Sequence, residues 1–296
     1  MDGSSHTTAL TGNKILVTGA NGQLGKELQK LAPGFPQFEF IFLAKEDLPI
    51  HHFEMVRHYF SVYHPAYLIN CAAYTAVDRA ESEKDRAFQI NAEAVGVLAA
   101  VCKQYSTRMI HISTDYVFDG TVTGPYTEDS PTNPQSVYGA SKLEGEKQAL
   151  QFNPDSVIIR TSWVYSEYGK NFVRTMLKLM QEKKEISVVN DQLGSPTYAA
   201  DLAEAVLQII RSGKWEPGIY HYCNKGVISW YDFAVTIKEV TASTCKISPI
   251  PTTAYPTAAK RPAYSVLDTQ RIRDTYSMEM KDWVLSLKTC LDRLAK

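Results

Sequence analysis

The chain has 296 residues, with 31 Lys plus Arg against 32 Asp plus Glu and a formal net charge of −1. That length holds one large or two modest domains around a sizeable core. The near-neutral balance removes the electrostatic basis for nucleic-acid binding, and 44% hydrophobic with 21% charged residues argues against disorder. No apolar run approaches the ~18 residues of a membrane span.

The opening, MDGSSHTTALTGN, has no basic stretch ahead of an apolar one, so no secretory signal is expected, and residues 1–12 read as a flexible leader. Five cysteines (Cys71, Cys102, Cys223, Cys245 and Cys290) with no CxxC pair indicate neither a disulfide framework nor a zinc knuckle. A reducing cytoplasm is their simplest home. From there, strand and helix signals alternate. Lys14–Val17 is a short apolar strand running into a Gly-rich turn, and Leu24–Leu31 has helical spacing. Phe38–Leu43 is a second strand, His52–Tyr63 a helix closed by Pro65, and Tyr67–Asn70 a third strand. The Ala-rich stretch Ala87–Tyr105 predicts one long helix, Arg108–Ser113 a fourth strand, Ser141–Leu150 a helix, and Ser156–Ile159 the start of a fifth strand. Further on, Phe172–Glu182 and Ala199–Arg211 are amphipathic helices, and prolines crowd between Ser248 and Pro262. Alternation of this kind predicts an α/β protein with a doubly wound parallel (Rossmann) sheet and a smaller C-terminal substrate lobe. Residues 13–165 form the expected dinucleotide domain and 166–296 the lobe, with about 190–213 returning to the sheet.

The turn after the first strand reads Thr18-Gly19-Ala20-Asn21-Gly22-Gln23-Leu24-Gly25. Gly19 permits the turn, Gly22 lets backbone approach a pyrophosphate, and Gly25 lets helix and strand pack closely. The helix N-terminus adds free N–H groups and a positive dipole. About twenty residues on, the second strand ends at Leu43-Ala44-Lys45, where an acid would grip the ribose hydroxyls of NAD. Lys45 instead offers a cation to a 2′-phosphate, which favours NADPH, with NADH as the alternative.

In Tyr138-Gly139-Ala140-Ser141-Lys142 a phenol and an ammonium stand four apart and share a helix face. A Lys⁺ beside a Tyr lowers the phenol's pKa and equips it to exchange a proton with a carbinol oxygen. Ser113-Thr114-Asp115 ends the fourth strand, where open α/β sheets bind ligands, so the Thr114 hydroxyl is placed to hold the same oxygen.

These residues resemble the extended short-chain dehydrogenase/reductases, and among them the dTDP-4-dehydrorhamnose reductase family. The likeness runs through NCAAYTAVDRAE at 70–81, STDYVFDG at 113–120, RTSWVY at 160–165, NDQLGSPT at 190–197, AYPT at 254–257 and Arg261-Pro262. It implies NADPH-dependent reduction of the C4 ketone of a nucleotide sugar, with Thr114, Tyr138 and Lys142 as catalytic residues. It also implies cofactor contacts from Asn21, Gly22, Gln23, Leu24, Ala72, Ala73 and Tyr74. Asp115, Tyr116, Trp163, Asn171 and Arg261 fall on the substrate side, Arg261 suiting a diphosphate. Two departures stand out. Leu48-Pro49-Ile50 lacks the carboxylate many relatives carry near the adenine. Some relatives bind a divalent ion through acids at a dimer contact; Glu27 matches one acid, but Ala200 replaces another. No metal site is therefore expected, and a homodimer rests on the resemblance alone. The regulatory subunit of methionine adenosyltransferase is similar to the same family, so a non-catalytic NADP-binding subunit is an alternative, as is another nucleotide-sugar reductase or epimerase.

Other chemistry-bearing residues have plainer readings. His51, His52, His58 and His64 sit on and around one surface helix as solvated side chains. Cys71 serves close approach of backbone and ligand, not nucleophilic attack.

Overall fold

The computed structural model describes residues 12–295. All but the last residue of the expected leader lies outside the described residues. In chain order the first half comprises β1 (Lys14–Thr18), α1 (Gln23–Leu31), β2 (Glu39–Leu43), α2 (Phe53–Tyr63), β3 (Tyr67–Asn70), α3 (Val77–Ala80), α4 (Lys84–Phe88), α5 (Ala94–Gln104), β4 (Arg108–Thr114), α6 (Val137–Phe152) and β5 (Val157–Thr161). Beyond it come β6 (Val164–Tyr165), α7 (Phe172–Glu182), β7 (Glu185–Val189), β8 (Leu193–Gly194), β9 (Thr197–Tyr198), α8 (Ala199–Arg211), β10 (Gly218–Tyr222), β11 (Ile228–Ser229), α9 (Trp230–Val240), β12 (Lys246–Ile250), α10 (Gln270–Tyr276) and α11 (Trp283–Leu294).

Six strands form one sheet in the order β10-β5-β4-β3-β1-β2, with every neighbouring pair parallel. Burial on both faces explains why these strands are nearly continuous apolar runs. One face packs Ile15, Val17, Ile69 and Ile159 against Leu24 and Leu28 of α1 and Leu202, Val206 and Ile209 of α8. The other packs Leu16, Leu68 and Ile158 against Val56 and Phe60 of α2 and Leu98 and Cys102 of α5. A separate core gathers Val173 and Met176 of α7, Phe233 and Ile237 of α9, and Leu287 and Leu291 of α11. Among the described residues no helix is long and apolar enough to cross a membrane.

Three details depart from the sequence reading. The stretch expected as one uniform helix contains a π-helical turn at Gln89–Glu93 between α4 and α5. The extra residue turns Asn91 inward, where its side chain bonds Tyr74 N and O and the Ser141 hydroxyl. The helix expected to begin at Ser141 starts four residues earlier, at Val137, because Ser136 caps it by accepting from Gly139 N–H at 3.1 Å. The sixth sheet strand, β10, was not expected; it adds to the edge beyond β5.

Candidate active site

A cleft of about 820 Å³ opens above the C-terminal ends of β1, β3 and β4, at the point where strand order reverses between β1 and β3. The glycine turn forms one wall. A Cβ at Gly19 (φ +68°) would stand 2.7 Å from Ala72 N, and one at Gly25 would stand 2.5 Å from Gly19 O. These two positions admit no larger residue while the turns after β1 and β3 touch. Gly19, Asn21, Gly22, Gln23, Leu24, Ala72, Ala73 and Tyr74 all line the cleft; Gly25 lies beneath it as the packing glycine. The volume and the bare backbone fit a dinucleotide.

Thr114, Tyr138 and Lys142 meet at the same cleft with Asp115 and Tyr116. Their arrangement corrects one expectation. The Lys142 ammonium does not address the phenol: it donates to Ile112 O at 2.6 Å and faces His111 Nε2 at 3.3 Å. Tyr138 is consequently not acidified. Burial pushes its phenol up to about 12, while the Thr114 hydroxyl pulls down and Asp115 pushes further up. The protonated phenol is a proton donor as it stands. Lys142 is itself drawn down to about 8, chiefly by burial, against the opposing pull of Glu146 and Cys71. Asp115 is buried and raised to about 6 by desolvation, and its Oδ2 has no hydrogen-bond partner. Its Oδ1 accepts from Thr114 at 3.0 Å, which fixes the threonine hydroxyl. Cys71 is pushed up to about 12 by burial, so it is a thiol, not a nucleophile.

Lys45 is exposed on the cleft wall and shares it with His51 and Arg86. Neither His51 nor Arg86 was singled out from sequence for the site, since a surface histidine and an arginine in a charged helix carry no local signature. On the opposite side Trp163, held at φ +47°, stacks on Trp230 with ring centroids 3.5 Å apart and planes 10° from parallel, and both line the cleft. Trp230, the first residue of α9, was likewise missed. Two residues expected on the substrate side have other partners. Asn171 caps α7 and donates to Gln23, Ser166 and Tyr168. Arg261 forms a forked pair with Asp78 at 2.8 and 3.1 Å.

Glu27 is wholly buried on α1, with Arg293 Nη1 at 3.8 Å, and Ala200 is buried on α8. Among the described residues no cluster of three or more His, Cys, Asp or Glu is arranged to hold a metal ion.

A parallel six-stranded sheet, a glycine turn at its switch point and a Thr/Tyr/Lys set at the mouth define a Rossmann-type site of the extended short-chain dehydrogenase/reductase kind. The chain belongs to the family described as RmlD substrate binding domain, which matches residues 13–296. It is 41% identical over 285 residues to the dTDP-4-dehydrorhamnose reductase of Aggregatibacter actinomycetemcomitans, covering 93% of this chain and 97% of the relative. A crystal structure of a dTDP-4-dehydrorhamnose reductase from Clostridium acetobutylicum superposes with TM-score 0.92 at 43% identity, covering 96% of this chain and 100% of that one. The enzyme of the same name from Bacillus anthracis, solved in complex with NADP, gives TM-score 0.91 at 37% identity over 95% and 99% of the two chains.

Proposed function

We propose that this chain reduces the C4 ketone of dTDP-4-dehydro-L-rhamnose to an alcohol, using NADPH. The observation that carries the reading is the convergence of Thr114, Tyr138 and Lys142 on one cleft with the glycine turn, in a chain that dTDP-4-dehydrorhamnose reductases match over 93–95% of its length. When bound, the reduced nicotinamide supplies a hydride to the ketone carbon. The protein's part is to place the ketone and protonate its oxygen. Thr114, oriented by Asp115, hydrogen-bonds that oxygen. Tyr138, a neutral phenol, donates its proton as negative charge develops there. Lys142 supplies positive potential at the cleft floor. The Trp163–Trp230 stack offers a flat apolar wall for a base or sugar face, and Lys45 a cation for the 2′-phosphate.

A turnover screen of 4-keto nucleotide sugars with NADPH and NADH tests this. Oxidation of NADPH with the dTDP-4-keto-6-deoxy-L-sugar is the expected result. No oxidation with any 4-keto sugar overturns it.

A further inference from the structure

Three neighbouring strands carry a line of polar residues in register. Thr18 of β1 pairs with Asn70 of β3, and Asn70 pairs with His111 of β4. All three are fully buried. The line ends at Lys142, whose Nζ lies 3.3 Å from His111 Nε2. Such a chain has a sense, and here that sense is determined by a single backbone group. One end of the Asn70 amide receives the Thr18 hydroxyl at 2.7 Å and the Ala72 N–H at 3.2 Å. A backbone N–H only donates, so that end is the carbonyl oxygen. The NH₂ end therefore points at His111 Nδ1, 3.0 Å away, and donates to it. His111 is neutral, because burial and the nearby Lys142 charge hold it well below the usual imidazole range. Its one ring proton is left on Nε2, the nitrogen that faces Lys142.

An ammonium opposite an N–H is donor against donor; an amine opposite it is acceptor to donor. We propose that His111 is a positioning residue for Lys142: held by Asn70 in the Nε2–H tautomer, it favours the amine over the ammonium and so lowers the pH at which Lys142 gives up its positive charge. Among the described residues no other hydrogen-bond partner of Lys142 does this. Ile112 O accepts at 2.6 Å and favours the ammonium. Glu146, one turn along α6, favours the ammonium too, though Arg160 engages both of its oxygens at 2.9 and 2.7 Å. Cys71 is a neutral thiol and Tyr138 a neutral phenol. The line also begins at the strand end that carries the glycine turn and passes Ala72 of the cofactor wall, so the same bonds fix that wall's backbone and the tautomer.

The tautomer is directly measurable. In the unaltered protein, labelled with ¹⁵N-histidine and free of nucleotide, two-bond ring correlations should show His111 with Nδ1 bare and Nε2 protonated at neutral pH. An Nδ1–H ring or an imidazolium overturns the proposal. The second arm uses His111→Asn, whose oxygen still accepts from Asn70 but whose side chain falls short of Lys142. Relief of the opposed N–H should move the basic limb of the NADPH-dependent reduction upward by about one pH unit. A lower rate with that limb unmoved would make His111 a packing residue and sink the idea. This second arm rests on the proposed function; the first does not, so a chain that turned over no keto-sugar would leave the tautomer result standing. If His111→Asn fails to fold, the labelled wild-type protein decides alone.

Discussion

Gln23 Oε1 accepts a hydrogen bond from Asn171 Nδ2 at 2.9 Å, so the first turn of α1 is tied to the cap of α7 across 148 residues of sequence. These two side chains, expected on the cofactor and substrate sides, hold each other in the fold, and Gln23 also lines the cleft. Asn171 also accepts from Arg174 N–H and donates to the Ser166 and Tyr168 carbonyls. Asn171→Ala removes a helix cap, which costs about 1–2 kcal/mol and lowers the melting temperature by several degrees. It also frees Gln23, so the KM for NADPH should rise more than kcat falls. Thermal unfolding and steady-state kinetics check both; an unchanged melting temperature would count against the tie.

Tyr138→Phe removes the phenol that, in the proposed mechanism, protonates the reduced oxygen beside Thr114. The expected loss in kcat is at least about a hundredfold. NADPH binding, followed by its fluorescence, should stay within a few-fold, because the ring and its edge-on contact with Tyr116, 5.6 Å between centroids, survive.

Lys45 makes no ion pair among the described residues and lines the cleft; the proposed function gives it the 2′-phosphate of NADPH. For Lys45→Ala the KM for NADPH should rise about tenfold, the worth of one charge-assisted contact. That for NADH should be nearly unchanged. Equal effects on both cofactors would remove Lys45 from phosphate recognition.

Glu146 and Arg160 form a forked pair with almost no solvent access, and Ser113 donates to the same carboxylate. Arg160 also lies over the Phe118 ring at 5.1 Å. Arg160→Met strands a buried carboxylate and should cost about 3–5 kcal/mol in denaturant unfolding. A double variant, Glu146→Gln with Arg160→Met, should recover part of that loss.

Glu27 is held above the usual carboxylate range, first by burial and then by the neighbouring Glu167. The folded state thus binds a proton that the unfolded chain releases near its ordinary value of about 4.3. Stability from this group is present below that value and declines as pH rises toward the raised native one. Glu27→Gln should flatten that decline, so variant and parent differ little near pH 5 and the variant melts higher near pH 8.5. Parallel melting curves across that range would refute the assignment.

Much of this was legible in the chain because its signals are local. Burial on both sides makes β1, β3, β4 and β5 apolar runs, and the glycine turn is written in consecutive residues. What escaped depends on distance. Spacing placed Tyr138 and Lys142 on one helix face, but the reach of Lys142 was decided by Ile112 and His111, some thirty residues upstream. The strand β10, GIYHY, follows a Pro-containing connection and is not a continuous apolar run, so nothing marked its return to the sheet. Trp230 gained its place only because α9 packs its first residue against Trp163. The π turn at Gln89–Glu93 leaves no trace in a pattern read for a 3.6 repeat.

That turn has a consequence for how the chain tolerates length change. Gly145 carries no side chain where a Cβ would lie 2.0 Å from Asn91 O, so α6 rides directly on the bulged backbone. Deleting one codon anywhere in Gln89–Glu93 would restore regular pitch and rotate everything upstream by about 100° relative to α5. Asn91 would leave Tyr74 and Ser141 together, unpinning the loop after β3 from the helix bearing Tyr138. A single surplus amino acid thereby acts as the dowel that joins two otherwise separate parts of the catalytic floor.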